Sequence, residues 1–334
     1  MKKRNEQIDV ARGIAILLVI LGHSFYSIED PLNKIILSFH MPLFFFLSGI
    51  VAKIRDKETG GGGRFILGKL KTILLPQVLL GMVSYIYYGL FTVVMKGGSL
   101  KEVDFLYQFW RYWFLQVLFL VVIIFYFISQ KIHITSAKCQ IIVGGICVIL
   151  GLLFEYIIKW PDESPFYINV VPMAFFFYLL GFACRGFFTA QLKQICDSNG
   201  KKVMMLIIAL CSLIVCALCN SSVTMYNNNY GLFPIFILGS LSGIVVVWVI
   251  ADFMQKNMFL KWCGKNSIVI YVWQFVLTQF FKNVIEIIFN VTHVNSPDFI
   301  MTVCVFGVCV FAVIPIVIFS NRFVPELYGK KRVG

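Results

Sequence analysis

Residues 8–25 read IDVARGIAILLVILGHSF, and the reading of this stretch decides the fold. Between Arg12 and His23 every position is apolar or glycine. As a helix rising about 1.5 Å per residue, such a run covers much of a hydrocarbon layer about 30 Å thick. Lys2, Lys3 and Arg4 precede it as in a signal peptide, but no small-residue cleavage site follows. A retained signal anchor is therefore expected.

Comparable runs recur along the whole chain. The expected spans are Val10–Phe25, Ile35–Ile54, Ile73–Met95, Trp113–Ser129, Cys139–Ile158, Ile168–Phe188, Val203–Cys219, Gly231–Ala251, Asn266–Phe289 and Phe299–Phe319. The ninth is the weakest, because Gln274, Gln279 and Lys282 interrupt it. Backbone groups in hydrocarbon must be paired within their own segment, so the expected class is all-α: a polytopic membrane protein of about ten transmembrane helices. Composition agrees. Apolar residues make up 59% of the 334-residue chain and charged residues 13%, far below a soluble protein's share of about a quarter. No stretch is left for a soluble domain, so residues 1–334 are expected to form a single membrane-embedded domain.

Charge sets the expected orientation. With the N-terminus in the cytoplasm, 22 of the 29 Lys and Arg residues fall on cytoplasmic segments and six on external ones, Arg12 lying within the first span. The positive-inside rule then puts both termini in the cytoplasm. It also gives the +13 net charge a partner in anionic lipid, and no nucleic-acid role is expected. The expected location is a cell membrane, crossed many times, of the bacterial cytoplasmic kind. The ten Cys lie mostly inside apolar runs, Cys216 and Cys219 among them, as small packed hydrophobes; no metal site is expected. Gly60–Gly63 lacks the Lys-Ser/Thr ending of a phosphate loop and is expected to be a linker.

Polar residues inside a bilayer are costly and so carry the functional information. Arg12 and His23 are eleven positions apart, three turns plus roughly 20°, and share a helix face. Asp9 lies one turn before Arg12, placed to pair with it. Singly, Arg12 reads as a snorkelling anchor and His23 as a packed imidazole bonded to a neighbouring helix. Together on one face they point to a ligand. Their axial separation of about 16 Å suits an extended molecule such as the pantetheine arm of a coenzyme A thioester, phosphates towards Arg12 and thioester towards His23. In the second span, His40 is placed to approach His23, and Pro42 is expected in a first turn. Ser48 reads as half of a small packing pair with Gly49 rather than as a nucleophile. His133 and His293 fall in expected loops. Glu155 could line an acceptor cleft or lie at the interface. Trp110, Trp113 and Trp160 fit an aromatic interface belt better than a sugar platform.

The motifs Asp9-x-Ala11-Arg12-Gly13-Ile14-Ala15, Gly22-His23 and His40-Met41-Pro42-Leu43-Phe44-Phe45-Phe46-Leu47-Ser48-Gly49 resemble the opening of the acyltransferase-3 family. The second-span variant is similar to the branch related to fucose 4-O-acetylase. The resemblance implies an integral membrane acyltransferase acting on cell-surface polysaccharide, peptidoglycan, lipid or a small molecule, with acyl-CoA as donor. The family's Arg-x10-His pattern falls on Arg12 and His23, which it ties to activity. The family's basic pair before the third span, commonly Arg-x-Arg, is here Lys69-Leu70-Lys71; lysine keeps the charge and loses the bidentate fork. Many relatives carry His where this chain has Gln274.

Acyl transfer to a hydroxyl needs a base, and an imidazole titrating near neutrality suits the task. The expected reaction moves an acetyl group from cytoplasmic acetyl-CoA, a consumed substrate, to a hydroxyl of an extracytoplasmic glycan or other acceptor. His23 is the expected base, His40 orients the acceptor or assists with the proton, and Arg12, Lys69 and Lys71 hold the coenzyme. Asp9, Glu155 and Gln274 are the expected supporting residues. A covalent acyl-histidine route stays open. The rival readings are a transporter or flippase of a lipid-linked substrate and a structural or sensory protein. Neither inverted repeats nor helices broken at matched positions favour the transporter, and a scaffold leaves the Arg12–His23 alignment unexplained. No segment carries a signature of oligomeric state.

Overall fold

The computed structural model describes residues 5–54, 61–158, 165–195, 197–292 and 298–330. Its helices, in chain order, are α1 (Glu6–Ser24), α2 (Pro31–Ile50), α3 (Gly62–Lys69), α4 (Leu75–Lys96), α5 (Phe105–Trp110), α6 (Trp113–Lys131) and α7 (Ala137–Tyr156). They continue as α8 (Val171–Ala183), α9 (Leu192–Ile195), α10 (Asn199–Cys219), α11 (Phe233–Phe253), α12 (Met258–Lys265), α13 (Ser267–Thr292) and α14 (Asp298–Phe323). Among the described residues there is no strand beyond a single bridge between Thr224 and Asn229. Among the described residues, ten helices are long and apolar enough to cross a membrane, one for each expected span. The chain is an all-α, multi-pass membrane protein.

The first helix lies at the centre. Val10, Ala11, Ala15, Ile16, Val19 and Ile20 are buried, and α1 touches α2, α11, α12, α13 and α14. Its closest neighbour, α12, crosses at Gly13 and Gly264. A Cβ on Gly13 would lie 2.0 Å from the Leu260 carbonyl oxygen, and one on Gly264 1.8 Å from that of Asp9. Backbones can approach this closely only where there is no side chain. The helix starts at Glu6, earlier than expected, because the Asn5 side chain accepts from Gln7 N at 3.0 Å and caps the first turn.

Pro42 departs from expectation. The second helix begins at Pro31, capped by Asp30, which leaves Pro42 in the interior rather than the first turn. Pro42 has no N–H, so the carbonyl of Ser38 lacks its helical donor. Ser240 of α11 supplies one: its hydroxyl donates to Ser38 O at 2.9 Å. Pro76 acts similarly between α3 and α4. Without its N–H the ladder shifts register, Leu75 N donates to Leu70 O, and Leu70–Leu74 wind as a π-helical turn. The third span therefore runs unbroken from Gly62 to Val94. Gly62 and Gly63 belong to α3, not to a linker; Gly60 lies outside the described residues.

The ninth span holds together because its polar groups face protein. Lys282 donates to the carbonyl of Phe25 at 2.6 Å, capping the end of α1, and Gln279 reaches Asn283 at 3.3 Å. His293 and Trp160 lie outside the described residues.

Candidate functional site

Two cavities of 520 Å3 each lie along α1, one at each end of the helix. The first is lined by Arg12 from α1, Ser48 from α2, Lys53 just beyond α2, Lys69 from α3, Thr72 from the π-turn and Ser267 from the start of α13. Tyr328 and Gly329, from the segment after α14, lie on its rim. Three cations thus converge on one space. The Lys69 ammonium stands 5.7 Å from the centre of the Phe65 ring, which it partly covers. Lys71, two positions on, is exposed and does not line the cavity, because i and i+2 point apart on a helix. Of the expected basic pair only Lys69 faces inward. Lys53 takes the third place, and the sequence had marked it only as an orientation charge. Ser48 faces the cavity, while Gly49 makes the helix contact: a Cβ there would lie 1.9 Å from Tyr178 O of α8. Asp9 is buried in the first turn of α1 and lines neither cavity.

The second cavity is lined by His23, His40, Gln274, Arg111, Tyr112, Trp113 and Tyr167, with residues Val223–Asn227 of the loop between α10 and α11. These residues lie far apart in the sequence; α1, α2, α6 and α13 bring them together. His40 Nδ1 lies 2.8 Å from Ile36 O. A carbonyl oxygen only accepts, so Nδ1 carries the hydrogen and a neutral ring leaves its lone pair on Nε2. His23 packs edge-on against Phe275, ring centres 5.7 Å apart, and no hydrogen bond ties it to the described residues. Gln274 is buried beside them and takes the Thr278 hydroxyl on its backbone carbonyl at 2.6 Å.

Glu155 does not line this cavity. Its Oε1 accepts from Tyr230 N at 2.9 Å and so fixes the loop that does. Asn220 does the same from the other side, donating to Tyr230 O at 2.9 Å and accepting from Leu232 N at 2.7 Å. Glu155 is thus a loop anchor rather than a cleft wall. Trp113, at the start of α6, stands in the cavity wall beside Tyr167, at a ring separation of 6.3 Å. Sequence reasoning missed Arg111, counted as an external-loop charge, and the loop itself. The run Asn227-Asn228-Asn229 was the available signal, since Asn tolerates left-handed backbone and Asn228 has φ 57°.

Arg12 and His23 do not share one groove. Each opens onto its own cavity, and Tyr271 lines both. Its ring lies 5.2 Å from Phe114, which in turn lies 5.5 Å from Phe44 and 5.0 Å from Phe45. Phe44 and Phe114 line the first chamber with Tyr271, so the stack stands on that side of the wall the two chambers share, and Arg12 and His23 do not meet in the continuous ligand path the sequence expected. Among the described residues no cluster of His, Cys, Asp and Glu could hold a metal.

The family described as an acyltransferase domain, acyltransferase-3, matches residues 5–320. No curated protein and no solved structure matches the chain. The family match begins ahead of Arg12 and ends beyond α13, so it takes in the histidine chamber and all of the cationic chamber except its rim at Tyr328 and Gly329. The chain belongs to the acyltransferase-3 family, and is a membrane acyltransferase.

Proposed function

We propose that this protein transfers an acetyl group from cytoplasmic acetyl-CoA to a hydroxyl of a sugar or glycan precursor on the opposite face of the membrane. The observation that carries the reading is the pair of chambers along α1, one cationic and one holding two histidines, with Tyr271 in the wall of each. Arg12, Lys53 and Lys69 offer positive charge for coenzyme phosphates, and Ser48, Thr72 and Ser267 offer hydroxyls. The asymmetry of basic residues along the sequence supports putting this chamber on the cytoplasmic side.

In the proposed reaction the acyl-bearing end of the pantetheine arm passes the Phe114–Tyr271 partition and presents its carbonyl to the histidine chamber. The acceptor oxygen attacks that carbonyl. A C–O bond forms, the C–S bond breaks, and the sulfur leaves as the coenzyme thiolate. His23 takes the hydroxyl proton. The lone pair on His40 Nε2 accepts a second hydroxyl of the acceptor and orients it. Gln274 can donate from its amide where an imidazolium could deliver a proton, so it positions without acid–base chemistry.

The test uses purified protein in liposomes with labelled acetyl-CoA, reading coenzyme release and label transfer to added sugars. Release above protein-free liposomes, lost in His23→Ala with folded protein retained, is the expected result. Intact thioester in the presence of wild-type protein overturns the proposal and returns the transporter reading.

A further inference from the structure

The histidine chamber holds a charge that the acyl-transfer chemistry does not use. Arg111 ends α5 and lines the chamber. Its guanidinium lies 3.8 Å from the centre of the Phe275 ring, 4.8 Å from Tyr88 and 5.1 Å from Tyr107. Nη1 donates to Gln108 Oε1 at 2.7 Å, whereas Nε is buried and finds no acceptor. Among the described residues no carboxylate is within ion-pair distance of it. Lys282, which does not line the chamber, donates to the Phe25 carbonyl, sits 4.9 Å from the centre of the Tyr26 ring and has Glu286 one turn on. Among the described residues no Asp or Glu lines the chamber.

A half-buried guanidinium packed on three aromatic faces, its Nε buried without an acceptor and no carboxylate within ion-pair distance among the described residues, keeps unused capacity for an anion. A plain structural clamp does not need it: a neutral side chain of similar length would span the same three rings without the desolvation cost. A guanidinium is suited instead to an incoming oxyanion, and the rings of Tyr112, Trp113, Tyr167 and Tyr226 around it suit the apolar face of a pyranose.

We propose that the acceptor carries an anionic oxygen group, a carboxylate or a phosphate, on or next to the sugar that receives the acyl group, and that Arg111 anchors it in the histidine chamber. The proposal rests on the acyltransferase reading for the identity of the chamber, but it makes a claim about binding that needs no turnover. Anchoring the anion at Arg111 fixes which hydroxyl of the ring reaches His23 and His40, so the charge sets regiochemistry as well as affinity.

The experiment is saturation-transfer NMR on the full chain in detergent, with three monosaccharide probes: methyl glucoside, methyl glucuronide and glucose 1-phosphate. At least one anionic probe is expected to bind about tenfold more tightly than the neutral one. The arm that binds better separates a carboxylate-bearing glycan from a sugar phosphate or lipid-linked phosphate. Arg111→Gln is expected to bring the ratio of anionic to neutral binding close to one, and Arg111→Lys to restore part of it. Equal binding of all three probes by wild-type protein overturns the proposal, as does a preference that survives in Arg111→Gln. Absence of binding by either anionic probe up to about 10 mM, a range where single weak contacts still register, overturns it as well. Should Arg111→Gln not fold, the wild-type preference and the Arg111→Lys ratio still decide. Because the readout is binding, its failure is distinct from failure of acetyl-CoA turnover, which would sink the acyltransferase reading itself.

Discussion

The ring of Tyr271 stands 5.2 Å from the ring of Phe114, and Tyr271 is the residue whose side chain lines both chambers. In the proposed reaction, a partition of this kind would keep water in one chamber away from the thioester in the other until an acceptor is in place.

Removing the partition should therefore uncouple the reaction. Tyr271→Ala is expected to raise acetyl-CoA hydrolysis relative to transfer by about tenfold, while Tyr271→Phe keeps the ratio near that of wild-type protein. Both numbers come from one assay that counts free coenzyme and acylated acceptor together. An unchanged ratio in Tyr271→Ala would remove the partition from the mechanism.

The approach of α12 to α1 makes a stability prediction. A methyl at Gly13 would overlap Leu260 O, and one at Gly264 would overlap Asp9 O. In each case the obstruction is backbone, which cannot swing away. Gly13→Ala and Gly264→Ala should each cost about 1–3 kcal/mol, or prevent insertion altogether. Gly307 of α14 is the control: a methyl added there would meet nothing within 4 Å, and alanine should be neutral or stabilising by about 0.5–1 kcal/mol. Thermal unfolding in detergent checks all three.

Much of this was legible in the sequence, and for a physical reason. A run of about twenty apolar residues pairs its own backbone in hydrocarbon as a helix, so ten such runs became ten helices among the described residues. The cost of polar groups in lipid marked Arg12, His23 and His40, the family resemblance marked Lys69 and Gln274, and each faces a cavity. Three things were not legible. Tyr271 and Phe114 are aromatic residues in apolar helices, where nothing distinguishes a partition from ordinary core. Arg111 lies outside the spans, where charge is cheap, and only the fold turns it inward under Phe275. The loop at Val223–Asn227 is held by Glu155 and Asn220, contacts that span up to 75 positions and leave no local pattern.

The basic pair before α4 allows a direct comparison of two neighbouring lysines. Lys69 faces the cationic chamber and Lys71 is exposed on another side of the helix. Lys69→Ala should raise KM for acetyl-CoA by about three- to tenfold with little change in kcat, as expected of a partly solvated phosphate contact. Lys71→Ala should raise it less. If the two variants have the same KM, the coenzyme phosphates lie elsewhere.

The histidine chamber gives the sharpest test, because its two imidazoles are held differently. His40 is fixed through Nδ1 to Ile36 O, whereas among the described residues His23 makes a ring contact with Phe275 and no hydrogen bond. Gln at position 40 can keep an amide donor towards Ile36 O but has no basic nitrogen, so His40→Gln should retain thermal stability while its activity falls. For His23→Gln the loss in kcat should be about 10²–10⁴, the usual contribution of a general base. If both residues serve one proton-transfer step, the double variant will be little worse than His23→Gln alone, since groups acting as a unit are far from additive. Losses that multiply would instead give His40 a separate task, such as holding the acceptor. In that case the His40→Gln defect should appear in KM for the acceptor rather than in kcat, and the same kinetic series reads out both quantities.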